Sequence, residues 1–469
     1  MSVVWSNLPL LPLGCILEHL SLEDALATMS ICRNWRNVIM YYHGHKDTLK
    51  LKARNIEKSA FLTRIFKRHV KNLHIYVDCG QAEFDAFINI ILPEFFDSLN
   101  LEELVIMGPR YVQQSQHAPI IKVKRIPLES LVLKHMRTLR KLALMGCHVD
   151  KVKNENDRFI HKKLSFYSSP LTYNAPLTAG DAVLSRCSIN MMMFSSLQHI
   201  SAEYSAASTG ALETLAQLPH LSRLTLHIGG RRAPLEPVDW RRVNARYAAP
   251  PDVALNIVGL SVKRLDEVME KVLVQGLTLT SLKVMFCKTM HAPLVKHAAA
   301  MYKHSLRELV WADCPLDSRD DAGRHVKLPK RAEYDACNVN PFIFLCWQCQ
   351  HLRRLVVHGY WIWEYDVEGM VRLRRSLEHV SLSALYRPQG HFVAAPAAPA
   401  PAACRVLAGD AERPASGPFV KSVSKLLGRA WAPTRWAQLP RGLRARCSPA
   451  ERAAYVAAEG NDQGAPESY

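Results

Sequence analysis

Seven times between Val70 and Leu382 the chain spells Leu-x-x-Leu-x-Leu, with Ile or Val allowed at each position. The units are Val70/Leu73/Ile75, Leu101/Leu104/Ile106, Leu139/Leu142/Leu144, Leu221/Leu224/Leu226, Leu279/Leu282/Val284, Leu352/Leu355/Val357 and Leu377/Val380/Leu382. Leu197/Ile200 and Leu306/Leu309 are partial copies. A strand buries alternate side chains, so the last two apolar positions of each unit share one face of a short strand. One such unit could also lie on an amphipathic helix. Their recurrence in one chain demands a stacked architecture in which each unit covers its neighbour.

A second register sharpens this. Cys147, Cys287 and Cys314 fall at the place three residues after the last apolar position of their units, counting the partial one. A leucine-rich repeat puts Asn or Cys there, where the side chain satisfies backbone groups of the turn. Stretches suited to helices lie between units: Phe84 to Phe96, Leu212 to Leu218, Leu265 to Val274 and Phe342 to Cys349. The predicted fold class is α/β, with an irregular leucine-rich-repeat-like solenoid over residues 46–390. Unit spacings run from about 24 to nearly 60 residues, against the usual ~20–29. Lys151 to Ala179 and Arg231 to Pro251 are therefore read as insertions. Residues between the buried leucines should face the concave side, among them Glu103, Lys141, Arg223, Thr225, Lys283, Glu308 and Arg354. Lys141, Arg223, Lys283 and Arg354 are candidate client contacts; the same row would equally suit a solvated sheet face.

Residues 1–45 read differently. Leu13, Ile16, Leu17 and Leu20 recur at helical spacing after Pro9, which suits a first helical turn. Ser21 with Asp24 suggests a capping box for a second helix, with Leu22, Ala25, Leu26 and Met29 as its stripe. Cys32, Trp35, Val38 and Ile39 give a third. Units this small lack a sufficient core of their own, so surplus apolar surface should cover a partner or the domain behind.

Leu8-Pro9, Ile16, Leu20, Asp24 and Ile31-Cys32-Arg33-Asn34-Trp35-Arg36 resemble the F-box motif in order and spacing. Leu11 and Pro12 depart from it, standing where F-boxes usually carry Glu and Leu. The resemblance implies a three-helix F-box that docks on a Skp-family adaptor, and through it on a cullin and a RING subunit. It further implies that Leu8, Pro9, Ile16, Leu20, Ile31, Cys32 and Trp35 face the adaptor. On that reading the chain is a non-catalytic substrate receptor of a ubiquitin ligase, presenting a protein client.

His358-Gly359-Tyr360-Trp361-Ile362-Trp363-Glu364-Tyr365 follows a repeat strand with four aromatics. Tyr and Trp concentrate binding energy at interfaces, which makes Tyr360, Trp361, Trp363 and Tyr365 candidate client contacts. The same cluster could instead close the core of the last repeats. Asn340-Pro341, Leu345-x-Trp347-x-Cys349, Leu352-x-x-Leu355, His358-Gly359-Tyr360 and Val371-Arg372-Leu373-Arg374 resemble the C-terminal part of the F-box only protein 33 group.

Charge ranks below these patterns. The chain carries 60 Lys+Arg against 42 Asp+Glu, a formal +18. Lys46 to Lys71 is rich in bases, but acidic residues intervene and no recognised nucleic-acid module accompanies them. A basic nucleic-acid-binding or scaffold protein outside a ligase is the alternative. Cys346-x-x-Cys349 has metal-ligand spacing with no second pair nearby, and a helical stripe explains it as well. No catalytic residue, metal or cofactor is expected, since no phosphate loop, dinucleotide fingerprint or nucleophile elbow occurs. The N-terminal apolar run lacks a basic lead, and no apolar run reaches membrane length, so a cytoplasmic or nuclear location is expected. From residue 391 an Ala/Pro linker leads into a basic tail, with Trp431 and Trp436 as possible anchors and the final stretch expected to be disordered.

Overall fold

The computed structural model describes residues 8–20, 24, 27–41, 47–98, 100–112, 121–149, 194–229, 235–314, 340–386, 405–407, 417–434, 438–444 and 447–460. Its strands, in chain order, begin with Thr48–Lys52 (β1), Asn72–Tyr76 (β2), Glu103–Met107 (β3), Ile121–Val123 (β4), Lys141–Met145 (β5), Cys147–Val149 (β6) and His199–Glu203 (β7). Arg223–Gly229 (β8), Asp252–Val258 (β9), Leu279–Met285 (β10), Glu308–Ala312 (β11), Arg354–Trp363 (β12), His379–Tyr386 (β13) and Arg405–Leu407 (β14) complete the set. All but β4 and β6, which pair with each other, form a 12-stranded sheet in the order of the chain. Neighbouring strands of that sheet are parallel until β13, where β14 adds antiparallel. Parallel neighbours require a crossover, and helices such as Gln81–Ile91, Val262–Lys271 and Ala292–Met301 supply it.

The repeat leucines explain the packing. Leu73, Ile75, Leu104, Ile106, Leu282, Val284, Leu355 and Val357 join one core with the helix residues Phe84, Phe87, Leu265, Val268, Leu294 and Leu345. The helix starts are written locally: the side chains of Asn55, Ser208, Asp239, His291 and Asn340 each accept a backbone N–H of the first turn. The cysteine register has a physical counterpart. Cys287 Sγ accepts Leu260 N–H at 3.3 Å. In the same register, Asp78 Oδ1 accepts Arg54 N–H at 3.0 Å.

The structure also departs from expectation. Strands β1 and β9 carry no full leucine unit, because Lys46 and Pro250 stand in the sequence where their first Leu would be. Arg231 to Pro251 is not an insertion. Its described part holds the Trp240–Asn244 helix, and Leu235, Val238, Trp240 and Val243 join the main core, so it is an ordinary crossover. The proposed insertion at Lys151 to Ala179 lies outside the described residues, as does Trp436.

The tail differs most. Gly417–Leu427 is a helix, and Phe419, Val423 and Trp431 enter the main core, with Trp431 Nε1–H donating to Val380 O at 2.9 Å. Pro449–Gly460, within the stretch expected to be disordered, is a 12-residue helix. Its Tyr455, Val456 and Ala457 share a second core with Met107, Met145, Val258, Met285, Val310 and Val356, on the sheet face opposite the repeat leucines. Every residue of β10 is buried as a result, as parallel strands covered on both faces require.

Candidate functional site

The N-terminal module is built on two described helices, Leu10–Glu18 and Arg33–Tyr41. Most of the second helix read from sequence lies outside the described residues. Leu13, Leu17, Trp35, Val38 and Ile39 form a small separate core, with Leu8, Ile16, Leu20 and Cys32 partly buried against it. Asn34 Nδ2 donates to Leu8 O at 2.9 Å, tying the segment before the first helix to the second. Trp35, read as a contact residue, is only 7 % exposed and belongs to the interior. Pro9 caps the first helix and is exposed. Ile31 is 64 % exposed, and beside it in kind stand Leu10 at 62 % and Leu11 at 81 %. Leu10 and Leu11 were not among the sequence candidates. Their signal was available: both precede the buried stripe begun by Leu13.

The middle of the sheet holds a closed charge cluster. Lys283 on β10 is 2 % exposed; its Nζ donates to Glu459 O at 2.7 Å and lies 3.4 Å from Glu308 Oε2. Arg354 on β12 bonds Glu308, and holds Glu459 bidentately at 2.8 and 3.0 Å. Burial would raise the Glu308 carboxyl, but Lys283 and Arg354 outweigh it and lower it. Glu459 comes from the C-terminal helix. Two of the candidate client contacts are therefore occupied by the chain's own end.

Further along, Lys141 Nζ pairs with Glu103 at 2.7 Å, and Glu103 with His74 at 3.3 Å. Burial opposes ionisation of Glu103, yet these partners bring it down to about 2. Arg223 stands on β8 in register with His199 and Asp252, half-buried. Ser201 Oγ lies 2.5 Å from His227 Nε2, and His227 Nδ1 lies 3.4 Å from Asn256 Nδ2. Those residue types could serve as nucleophile, base and orienting group. All are at most 1 % exposed, so no substrate reaches them.

Glu203, next on the same face, is buried as well. Its Oε1 accepts Gly146 N–H at 2.6 Å, but burial dominates and pushes its carboxyl up to about 7. A raised carboxyl stabilises the fold fully below its unfolded value, near 4.5, and that stability is lost as pH rises through 7. Between those limits the loss is on the order of 3 kcal/mol. Denaturation of Glu203→Gln beside the wild type should show the variant gaining relative stability from pH 4.5 to 8. Parallel curves would refute this.

The aromatic cluster divides. Strand β12 continues through it, with a register shift between Val357 and Trp361. Tyr360 is 1 % exposed and its hydroxyl donates to Asp313 Oδ2 at 2.7 Å, so it is core and not client surface. Trp363 is half-buried and stacks on exposed Tyr365, with centroids 5.6 Å apart. Trp361 pairs through its backbone with Ala384, and its side chain lies outside the described residues. Cys346 and Cys349 are buried in the main core, which pushes both thiols up to about 12. No group of three or more metal-capable side chains occurs among the described residues. In the basic cluster Lys67 pairs with Glu94 and Lys71 with Asp47.

Residues 5–45 match the family model of the F-box domain. This segment is an F-box domain. Within the matched segment Leu10, Leu11 and Ile31 are exposed, and Trp35 is buried in the small core with Leu13 and Leu17. F-box proteins are typically non-catalytic adaptors or receptors. A search of curated proteins finds no match. A crystal structure of a yeast Rad7 and Elc1 complex is similar over 73 % of this chain and 71 % of that chain, at 14 % identity and a TM-score of 0.31. A likeness that distant carries no argument. No described helix is long and apolar enough to cross a membrane.

Proposed function

We propose that this chain is the substrate-recognition subunit of a Skp–cullin–F-box ubiquitin ligase. The F-box over residues 1–45 docks on the Skp-family adaptor, which brings the cullin and RING subunit. The sheet and its crossover helices over 46–390 act as a leucine-rich-repeat-like solenoid that holds a protein client, and the tail from 391 folds back on it in part. The solenoid reading rests on strands that follow chain order with helical crossovers. Membership of the F-box only protein 33 group is the narrower form of the same reading. The chain supplies no chemistry; it raises the effective concentration of a client lysine near charged ubiquitin.

The observation that carries this is the matched F-box with Leu10, Leu11 and Ile31 exposed around an otherwise packed module. Scattered apolar side chains are ordinary on a surface, but these three are concentrated in a domain whose known task is docking. Leu11→Asp with Ile31→Asp in the full chain should reduce recovery of the adaptor at least tenfold while leaving helicity and Tm unchanged. Trp35→Ala should lose the adaptor together with the fold of the module. The receptor reading fails if the wild-type chain recovers no adaptor from a purified mixture.

A further inference from the structure

The sheet face opposite the repeat leucines is covered by the chain's own C-terminal helix, and the chemistry of that cover is unusually specific. The helix contributes Tyr455, Val456 and Ala457 to the second core, and Leu443 enters from the segment before it. Its side toward the sheet is otherwise small: Ala453 is buried, and a Cβ added at Gly460 would already touch Asn256 and Met145 at 3.3 Å. The floor it lies on is made of Met107, Met145, Met285, Val258, Val310 and Val356. Methionine surfaces repack readily around different partners. At the end of the helix, Glu459 completes the charge cluster with Lys283, Arg354 and Glu308, and Asn256 Nδ2 donates to Gly460 O at 3.3 Å.

The fit is incomplete in a telling way. Among the described residues, Tyr455 Oη, Asn256 Oδ1 and Arg452 Nε are buried and find no hydrogen-bond partner. Each carries a desolvation penalty that nothing repays. Lifting the helix would return Tyr455 and Arg452 to water. It would also leave Lys283 and Arg354 with Glu308 as their one carboxylate in the cluster, an excess positive charge over an apolar floor.

We propose that this face is a docking site for an α-helical protein segment with a small-residue side and a carboxylate in its last turn, and that Pro449–Gly460 is its resident internal ligand. A client displaces the helix and places its own carboxylate between Lys283 and Arg354. Calling that segment a client rests on the receptor reading above; the site itself does not.

The test uses the full chain and a labelled synthetic peptide of residues 447–460. Fluorescence anisotropy should show weak binding to the wild type and at least tenfold tighter binding to Glu459→Ala, whose own helix is loosened. The peptide carrying Glu459→Gln should bind the loosened chain at least fivefold more weakly. Adaptor recovery should be the same for both chains, so loss of the receptor reading and loss of this site remain distinguishable. Equal peptide binding to both chains overturns the proposal, as does a Glu459→Ala chain that dimerises by taking a second copy's helix and ignores the peptide. Hydrogen exchange on the unmodified chain supplies an independent check. Amides of 449–460 should exchange at least a hundredfold faster than those of β10 and β11. Exchange of the helix together with those strands means that it opens only on global unfolding, and the proposal fails.

Discussion

An alanine at Gly359 should lower the unfolding free energy by about 2–5 kcal/mol, a large share of the ~5–15 kcal/mol that holds a domain folded. Two separate costs combine there. The backbone sits at φ +83°, where an L side chain is strained. A Cβ would also stand 2.3 Å from Asp313 O, a backbone atom that cannot swing away. The close approach is built into the sheet: Asp313 N–H donates to His358 O at 3.0 Å as β12 leaves β11. Gly259 separates the two costs, since it has φ +67° but nothing within 4 Å of an added Cβ. Gly259→Ala should lose only the strain, about 1–2 kcal/mol. Urea denaturation of the two variants would measure the difference, and equal losses would show that the contact with Asp313 is not tight.

Gly359 also marks where sequence reasoning succeeded and where it stopped. Strand positions were legible because burying alternate side chains imposes a period, and that period survives along the chain from Leu73 to Leu382. Strand β9 escaped because Pro250 and Pro251 occupy the lead of its unit, although Val253, Leu255 and Ile257 are as buried as any leucine. The aromatics were ranked by type, and type does not decide exposure. Tyr360 became core because Asp313, 47 residues away, accepts its hydroxyl, a partner that no local pattern announces. Trp35 followed the same logic within the F-box, where Leu13 and Leu17 enclose it.

The C-terminal helix was the largest omission, and its illegibility has a physical cause. Apart from Tyr455 and Glu459, its buried side is Ala453, Val456, Ala457 and Gly460, too small for a conspicuous apolar stripe. What it covers was misread in the same way. Lys283 and Arg354 lie away from the repeat leucines, as their strand positions implied, but the polar row was read only as a client-contact surface or a solvated face, with no cover from the chain itself. Val258, Met285, Val310 and Val356 share that face, and apolar residues there call for a cover.

Lys283→Met should be the most costly single change on that face, destabilising the chain by about 3–5 kcal/mol at pH 7. Lys283 is 2 % exposed, and its removal leaves Glu308 and Glu459 sharing Arg354 with one positive charge fewer nearby. The pH dependence fixes the sign. Glu308 is lowered in the folded chain, so it contributes stability above its unfolded value near 4.5, lost as pH falls through the lower folded value. Without Lys283 that contribution shrinks. Wild type and variant should therefore differ most near neutrality and converge in acid. Adding Glu459→Gln to Lys283→Met removes one of the two carboxylates left to share Arg354 and should recover about 1–2 kcal/mol, within the range of measured pairwise couplings. Denaturation of both single variants and the double variant at pH 7 and pH 4 checks this. Strict additivity, or a gap between wild type and Lys283→Met that persists unchanged into acid, would show that the four charges do not act as one cluster.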